Sequence, residues 1–253
     1  MLSGCAAGYN KASVGLASGG LNIAGIVYTP DSMLPGVIYP AVVLNHGGVK
    51  GVEFATRSWA RALAKKGYVV ILPQFRGQGG SEGHMEFAGG EVDDCLAALE
   101  YIKGLPYVDK GRIGMIGYSL GGLVTLRALE RTRDVRAAVL VSAISDPEVF
   151  MRRLADKKGL APADLQAHLA ELKARNPLPG LGEVTASVLI LHGLDDATVD
   201  PAQARELYGA LKAAGKDVEA VYFLHLGHAS MWYSAPMESA VEFLDRRLGH
   251  SNK

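Results

Sequence analysis

From about residue 21 onward the chain alternates short apolar runs with longer amphipathic segments. The runs Leu21–Tyr28, Val37–Asn45, Tyr68–Pro73, Arg112–Gly117, Val135–Val141, Ser187–His192 and Val218–Leu224 have the length and apolar content of buried strands. Phe54–Lys65, Glu91–Lys103, Leu120–Arg131, Pro201–Ala214 and Pro236–Leu248 read as helices. Leu96, Leu99 and Ile102 recur at helical spacing, as do Leu207, Tyr208 and Leu211. The last five strands fall between helices, the signature of βαβ units, so the expected fold is α/β: a mostly parallel central sheet flanked by helices. Between residues 146 and 182 the pattern turns charged and amphipathic, with Phe150, Leu154, Leu165, Leu169 and Leu172 as apolar positions. This predicts a small helical insertion over the top of the sheet. Residues 1–20 are polar and small and read as a flexible leader; 21–253 read as one domain.

Composition narrows the function classes. The 26 basic and 26 acidic residues cancel, which argues against nucleic acid as a partner. The most apolar stretches, Tyr68–Leu72 and Ala137–Ile144, are far shorter than the ~18 residues of a membrane span, so no transmembrane helix is expected.

Two cysteines, Cys5 and Cys95, are too few for a disulfide framework and lack the spacing of a zinc site; no metal is expected. Cys95 opens an apolar helical stripe and reads as a buried small hydrophobe. Leu2-Ser3-Gly4-Cys5, followed by Ala6-Ala7, resembles the lipobox at the end of a bacterial lipoprotein signal peptide, with Cys5 as the lipid-anchored residue. The charged and apolar regions that precede such a box are not in the sequence. As a lipobox remnant it implies a periplasmic or membrane-anchored lipoprotein; a chain complete as it stands implies a cytoplasmic protein.

The chemistry centres on Gly117-Tyr118-Ser119-Leu120-Gly121, a G-x-S-x-G between an apolar strand and an apolar helix. A serine on so tight a turn projects its hydroxyl above the carboxyl end of the sheet. The N–H of Leu120, at the helix N-terminus, then faces the space where an oxyanion would develop. Serine needs a base and an orienting acid, expected in the order Ser, Asp, His. Asp195 and Asp196 both follow the strand Ser187–His192. After the last strand, His228 follows a glycine in a loop able to reach back, whereas His225 sits at the strand end. His46-Gly47-Gly48 follows an early strand, making the Gly48 N–H a second oxyanion donor; His46 itself reads as structural. Arg76, Tyr118 and Trp232 are candidate substrate contacts.

Several segments together resemble the catalytic domain of the prolyl oligopeptidase family of serine peptidases and its hydrolase relatives. They are His46-Gly47-Gly48, Phe75-Arg76-Gly77 with Gly79-Gly80 and Gly83, Gly90-Glu91-Val92-Asp93-Asp94, Gly117 to Gly122, and Asn176-Pro177-Leu178 with Gly227-His228. The resemblance runs from about Pro40 to the C-terminus. It implies an α/β-hydrolase fold with Ser119 as nucleophile, His228 as base and, because H-G-x-x-D-x-x-V matches His192 to Val199, Asp196 as acid. Two departures matter. The residues before Pro40 cannot form the β-propeller that family members usually carry, and Val49 stands where the family often has proline after H-G-G. Stand-alone relatives of this size are frequently esterases, including dienelactone hydrolase-like enzymes, which typically use cysteine at the Ser119 position.

The resulting expectation is a cofactor-free serine hydrolase. It would cleave a small ester or short peptide through an acyl-enzyme, with activity rising through about pH 6–7 as a histidine base deprotonates. Peptidase and carboxylesterase are the two enzymatic readings; a non-catalytic binding module on the same fold is the alternative from another class.

Overall fold

The structure is a computed structural model and describes residues 8–48, 51–159 and 162–250. Leu2–Cys5, and with them the expected lipid anchor at Cys5, lie outside the described residues, as does Val49.

The strands are β1 (Tyr9–Ser18), β2 (Leu21–Pro30), β3 (Tyr39–Asn45), β4 (Val69–Pro73), β5 (Val108–Tyr118), β6 (Ala137–Val141), β7 (Ser187–Gly193) and β8 (Val218–Phe223). The helices are α1 (Phe54–Lys65), α2 (Glu91–Lys103), α3 (Leu120–Arg131), α4 (Pro147–Lys158), α5 (Pro162–Ala174), α6 (Pro201–Ala213) and α7 (Ser234–Leu248). The strands form one sheet in the order β1-β2-β4-β3-β5-β6-β7-β8. From β4 to β8 neighbours run parallel, whereas β2 is antiparallel to β4 and β1 antiparallel to β2. This is the α/β-hydrolase architecture.

One expectation needs correction. The leader predicted over residues 1–20 is, from Tyr9 to Ser18, an edge strand paired along its whole length with β2. Gly19 and Gly20, at φ 57° and 82°, make the two-residue hairpin turn, a geometry that matches strand twist and suits glycine. Only the end of β1 is buried, at Leu16 and Ser18, which is why its apolar alternation is faint. β5 likewise starts earlier than predicted, at Val108, through a polar stretch in which Asp109 pairs with Arg112.

The central strands are buried on both faces, so they read as continuous apolar runs. On one face α2 and α3 pack over the sheet around Leu99, Ile102, Leu123 and Ile113. On the other, α1 and α7 pack around Trp59, Leu63, Phe243 and Leu44. The insertion expected over 146–182 consists of α4, α5 and a 3₁₀ turn at Leu178–Glu183. Asp146 caps α4 by accepting from Val149 N–H, and Gly159 ends it in the left-handed conformation. Gln203 of α6 holds the start of the insertion, its Oε1 accepting from the N–H groups of Ser145 (2.9 Å) and Asp146 (3.1 Å).

Candidate active site

Ser119 stands between β5 and α3 with φ 55° and ψ −116°, a left-handed backbone that a residue with a Cβ adopts only under constraint. The constraints are visible. Ser119 N–H donates to Val141 O at 3.0 Å, and Ser119 O accepts from Gly122 N–H at 2.9 Å and Ile144 N–H at 3.2 Å. The flanking glycines are required by close approach: a Cβ on Gly117 would lie 2.3 Å from Gly121 O, and one on Gly121 would lie 2.3 Å from Asn45 O. Asn45 Nδ2 donates to Thr125 Oγ1 at 2.8 Å, and Thr125 donates to Gly121 O at 2.8 Å, so β3 and α3 are bonded around the turn.

Three side chains from separate loops meet here. His228 Nε2 lies 3.1 Å from Ser119 Oγ, and His228 Nδ1 lies 2.7 Å from Asp196 Oδ2. The other carboxylate oxygen, Oδ1, accepts from Thr198 and Val199 N–H, both at 2.9 Å. Burial is the largest influence on Asp196 and raises its pKa. The His228 hydrogen bond and charge, with the Val199 N–H, outweigh it and hold the carboxyl below the usual carboxylate range. With both carboxylate oxygens so bonded, the imidazole presents Nε2 to the serine. Asp195, in contrast, is exposed and lies 3.8 Å from the exposed His225, away from Ser119. A buried neighbour that sequence reasoning did not single out is His192, whose Nε2 sits 3.4 Å from Asp196 Oδ2 and 3.1 Å from Val199 O. Its place at the end of an apolar strand, four residues before Asp196, was the available signal.

Ser119 opens into a cavity of 390 Å³. Gly48, at φ 69°, and Leu120 both line it. Leu120 is the first residue of α3, so its N–H has no intrahelical acceptor. Apolar walls come from Ile144, Phe150 and Leu154, the latter two on α4, so the insertion does cover the site. Tyr118 and Trp232 also line it, with rings 4.5 Å apart. Trp232 is anchored to α1: its carbonyl accepts from Trp59 Nε1 at 3.1 Å, and the two indoles meet edge to face at 5.2 Å.

A model of the prolyl oligopeptidase family matches residues 54–251. The chain belongs to this family. Its class is therefore that of the serine hydrolases. It is 29% identical over 230 residues to YtmA of Bacillus subtilis, described as an uncharacterized peptidase, covering 88% of this chain and 86% of that one. It is also 29% identical over 222 residues to YuxL of the same organism, another uncharacterized peptidase, of which it spans only 34%. A puromycin-hydrolyzing peptidase of Mycobacterium tuberculosis superposes with TM-score 0.83 at 23% identity, over 99% of this chain and 41% of that one. An esterase of Pyrococcus furiosus superposes with TM-score 0.78 at 21% identity, over 98% and 97%. At these identities the two structures speak to the fold.

Within this family member, Arg76 departs from the role expected for it. It does not line the Ser119 cavity. Its guanidinium is spent on Asp94 Oδ1 at 2.8 Å and Glu86 Oε1 at 3.1 Å, which pins the loop between β4 and α2. His46 is fully buried beside the nucleophile turn, its Nε2 accepting from Phe75 N–H at 3.3 Å and its Nδ1 3.0 Å from Gly47 O. Burial is the chief reason its pKa falls to about 4, keeping it neutral. Cys95 is fully buried on α2, accepts from Asn45 Nδ2 at 3.2 Å, and has its thiol pushed up to about 12 by burial. Among the described residues no group of three or more His, Cys, Asp or Glu could hold a metal ion, and no helix is long and apolar enough to cross a membrane.

Proposed function

We propose that this chain hydrolyses acyl bonds through a Ser119 acyl-enzyme, with His228 as general base and acid and Asp196 as the orienting carboxylate. The observation that carries the reading is the continuous line from Asp196 Oδ2 through His228 to Ser119 Oγ, at 2.7 and 3.1 Å. His228 Nε2 takes the hydroxyl proton as Oγ attacks the substrate carbonyl, and Asp196 stabilises the imidazolium. The carbonyl electron pair moves onto oxygen, where the N–H groups of Leu120 and Gly48 receive it. Collapse expels the leaving group with the proton from His228, and water repeats the sequence on the acyl-enzyme. No step calls for a metal or an organic cofactor.

The apolar walls of the cavity suit a small ester or a short, accessible peptide with an apolar acyl side. The experiment is steady-state hydrolysis of one acyl group presented as an aryl ester and as an aryl amide, with Ser119→Ala as control. Loss of turnover by up to ~10⁶ in the variant is expected. Retention of most activity overturns the assignment. Serine-dependent cleavage of both substrates marks a peptidase; ester cleavage alone marks an esterase, because an amide leaving group must be protonated as it departs.

A further inference from the structure

The loop between β4 and α2 holds two successive non-glycine residues in the left-handed region, Phe87 at φ 55° and Ala88 at φ 64°. Such strain persists only where the surroundings over-determine it, and it concentrates where a side chain must be aimed. Here Glu86 is the fulcrum. Its N–H donates to Glu91 Oε1 at 2.6 Å, its Oε2 accepts from Gly90 N–H at 2.9 Å, and its Oε1 meets Arg76 Nη1 at 3.1 Å. Ala88 O accepts from Arg127 Nη1 at 2.6 Å. The turn so fixed lays the Phe87 ring on that of Phe150, with centroids 6.1 Å apart and planes 19° from parallel.

Phe87 also lines two cavities at once. One is the 390 Å³ space beside Ser119; the other, of 520 Å³, lies between this loop and the helical insertion. The second has an apolar lining of Met85, Met151 and Leu172, with Glu171 and Arg175 among its polar groups. It contains neither Ser119 nor His228.

We propose that Phe87 is the specificity-determining partition of the acyl site: its ring ends the cavity beside Ser119 and shuts long apolar acyl chains out of the space beyond. The proposal rests on the acyl-transfer reading above. It assigns Arg76 and Glu86 a purpose as well, since their ion pair braces the turn that aims the ring.

The test is a series of p-nitrophenyl esters from acetate through hexanoate to dodecanoate. Phe87→Gly removes the ring, and glycine accepts the left-handed backbone without strain, so the loop keeps its path. A methylene gained or lost in an apolar pocket changes discrimination by about tenfold or more. The dodecanoate-to-hexanoate ratio of kcat/KM should therefore rise by at least about that factor in Phe87→Gly. Phe87→Leu, which keeps a side chain in the partition, should stay near the wild-type ratio. Adding Met151→Trp to Phe87→Gly should refill the outer cavity and reverse the gain. An unchanged ratio in a variant that retains Ser119-dependent turnover overturns the partition, as does a wild-type enzyme that already prefers dodecanoate. Absence of Ser119-dependent turnover of any ester or amide in the wild type is a separate outcome, which removes the acyl-transfer reading and the partition with it.

Discussion

The Tyr118 hydroxyl donates to the main-chain carbonyl of His228 at 3.0 Å, and its ring packs against the imidazole with centroids 4.9 Å apart. The residue immediately before Ser119 thereby ties down the loop that carries the proposed base, which makes Tyr118 a positioning residue. Tyr118→Phe keeps the ring and deletes the tie. A single hydrogen bond of about 1 kcal/mol sets the scale, so kcat should fall roughly fivefold with KM nearly unchanged. An unchanged kcat, or a loss confined to KM, would leave Tyr118 a cavity wall only.

Asp196→Asn should lower kcat by ~10⁴ with little change in substrate binding. The neutral amide cannot hold the imidazole in the tautomer that presents Nε2 to Ser119, nor stabilise its protonated form. Comparing kcat and KM with the rate of Ser119 labelling by an organophosphorus probe checks this, since both rates should drop together.

Asp94→Asn should destabilise the fold by about 3–5 kcal/mol in urea unfolding, because it leaves Arg76 buried without its closest counter-charge. Asp94 is fully buried and Arg76 nearly so. Replacing both residues by apolar ones should cost less than removing one, the mark of an uncompensated charge. Equal costs would mean that the pair acts through packing alone.

Stability should fall as pH drops below neutrality, in part through His46. The residue titrates near 6.5 in an unfolded chain and at about 4 in the fold. Between those values the unfolded chain binds the extra proton. The contribution, on the order of 3 kcal/mol, is therefore complete above about pH 6.5 and disappears as pH falls toward 4. His192, also lowered chiefly by burial, acts with the same sign. Urea unfolding at pH 5 and pH 7 should show a smaller difference for His46→Gln than for wild type. A difference of the same size would remove His46 from the explanation.

Much of the architecture was legible because buried parallel strands and amphipathic helices write their periods directly into the chain; α1, α2 and α3 begin and end where the apolar spacing places them. β1 was harder to read. An edge strand with one wet face carries little apolar alternation, and only the Gly19-Gly20 pair announced the hairpin. For the candidate site, the glycines around Ser119 were readable, since a tight turn excludes side chains wherever backbones approach within about 3 Å, and the chain order of Ser119, Asp196 and His228 suggested the three groups that the proposed mechanism uses.

Arg76 shows where that reading stops. An arginine in a glycine-rich loop has the same one-dimensional appearance whether it meets a substrate or a buried carboxylate, and only the packing of α2 brought Asp94 against it. The same holds for Phe87, which lines two cavities because a strained turn and a helix far away in sequence converge on it. Local periodicity and steric demand, which act between neighbours along the chain, were determined by the sequence itself. Which distant side chains share a cavity, and which charge neutralises which, depends on long-range contacts whose energies appear only once the chain has closed on itself.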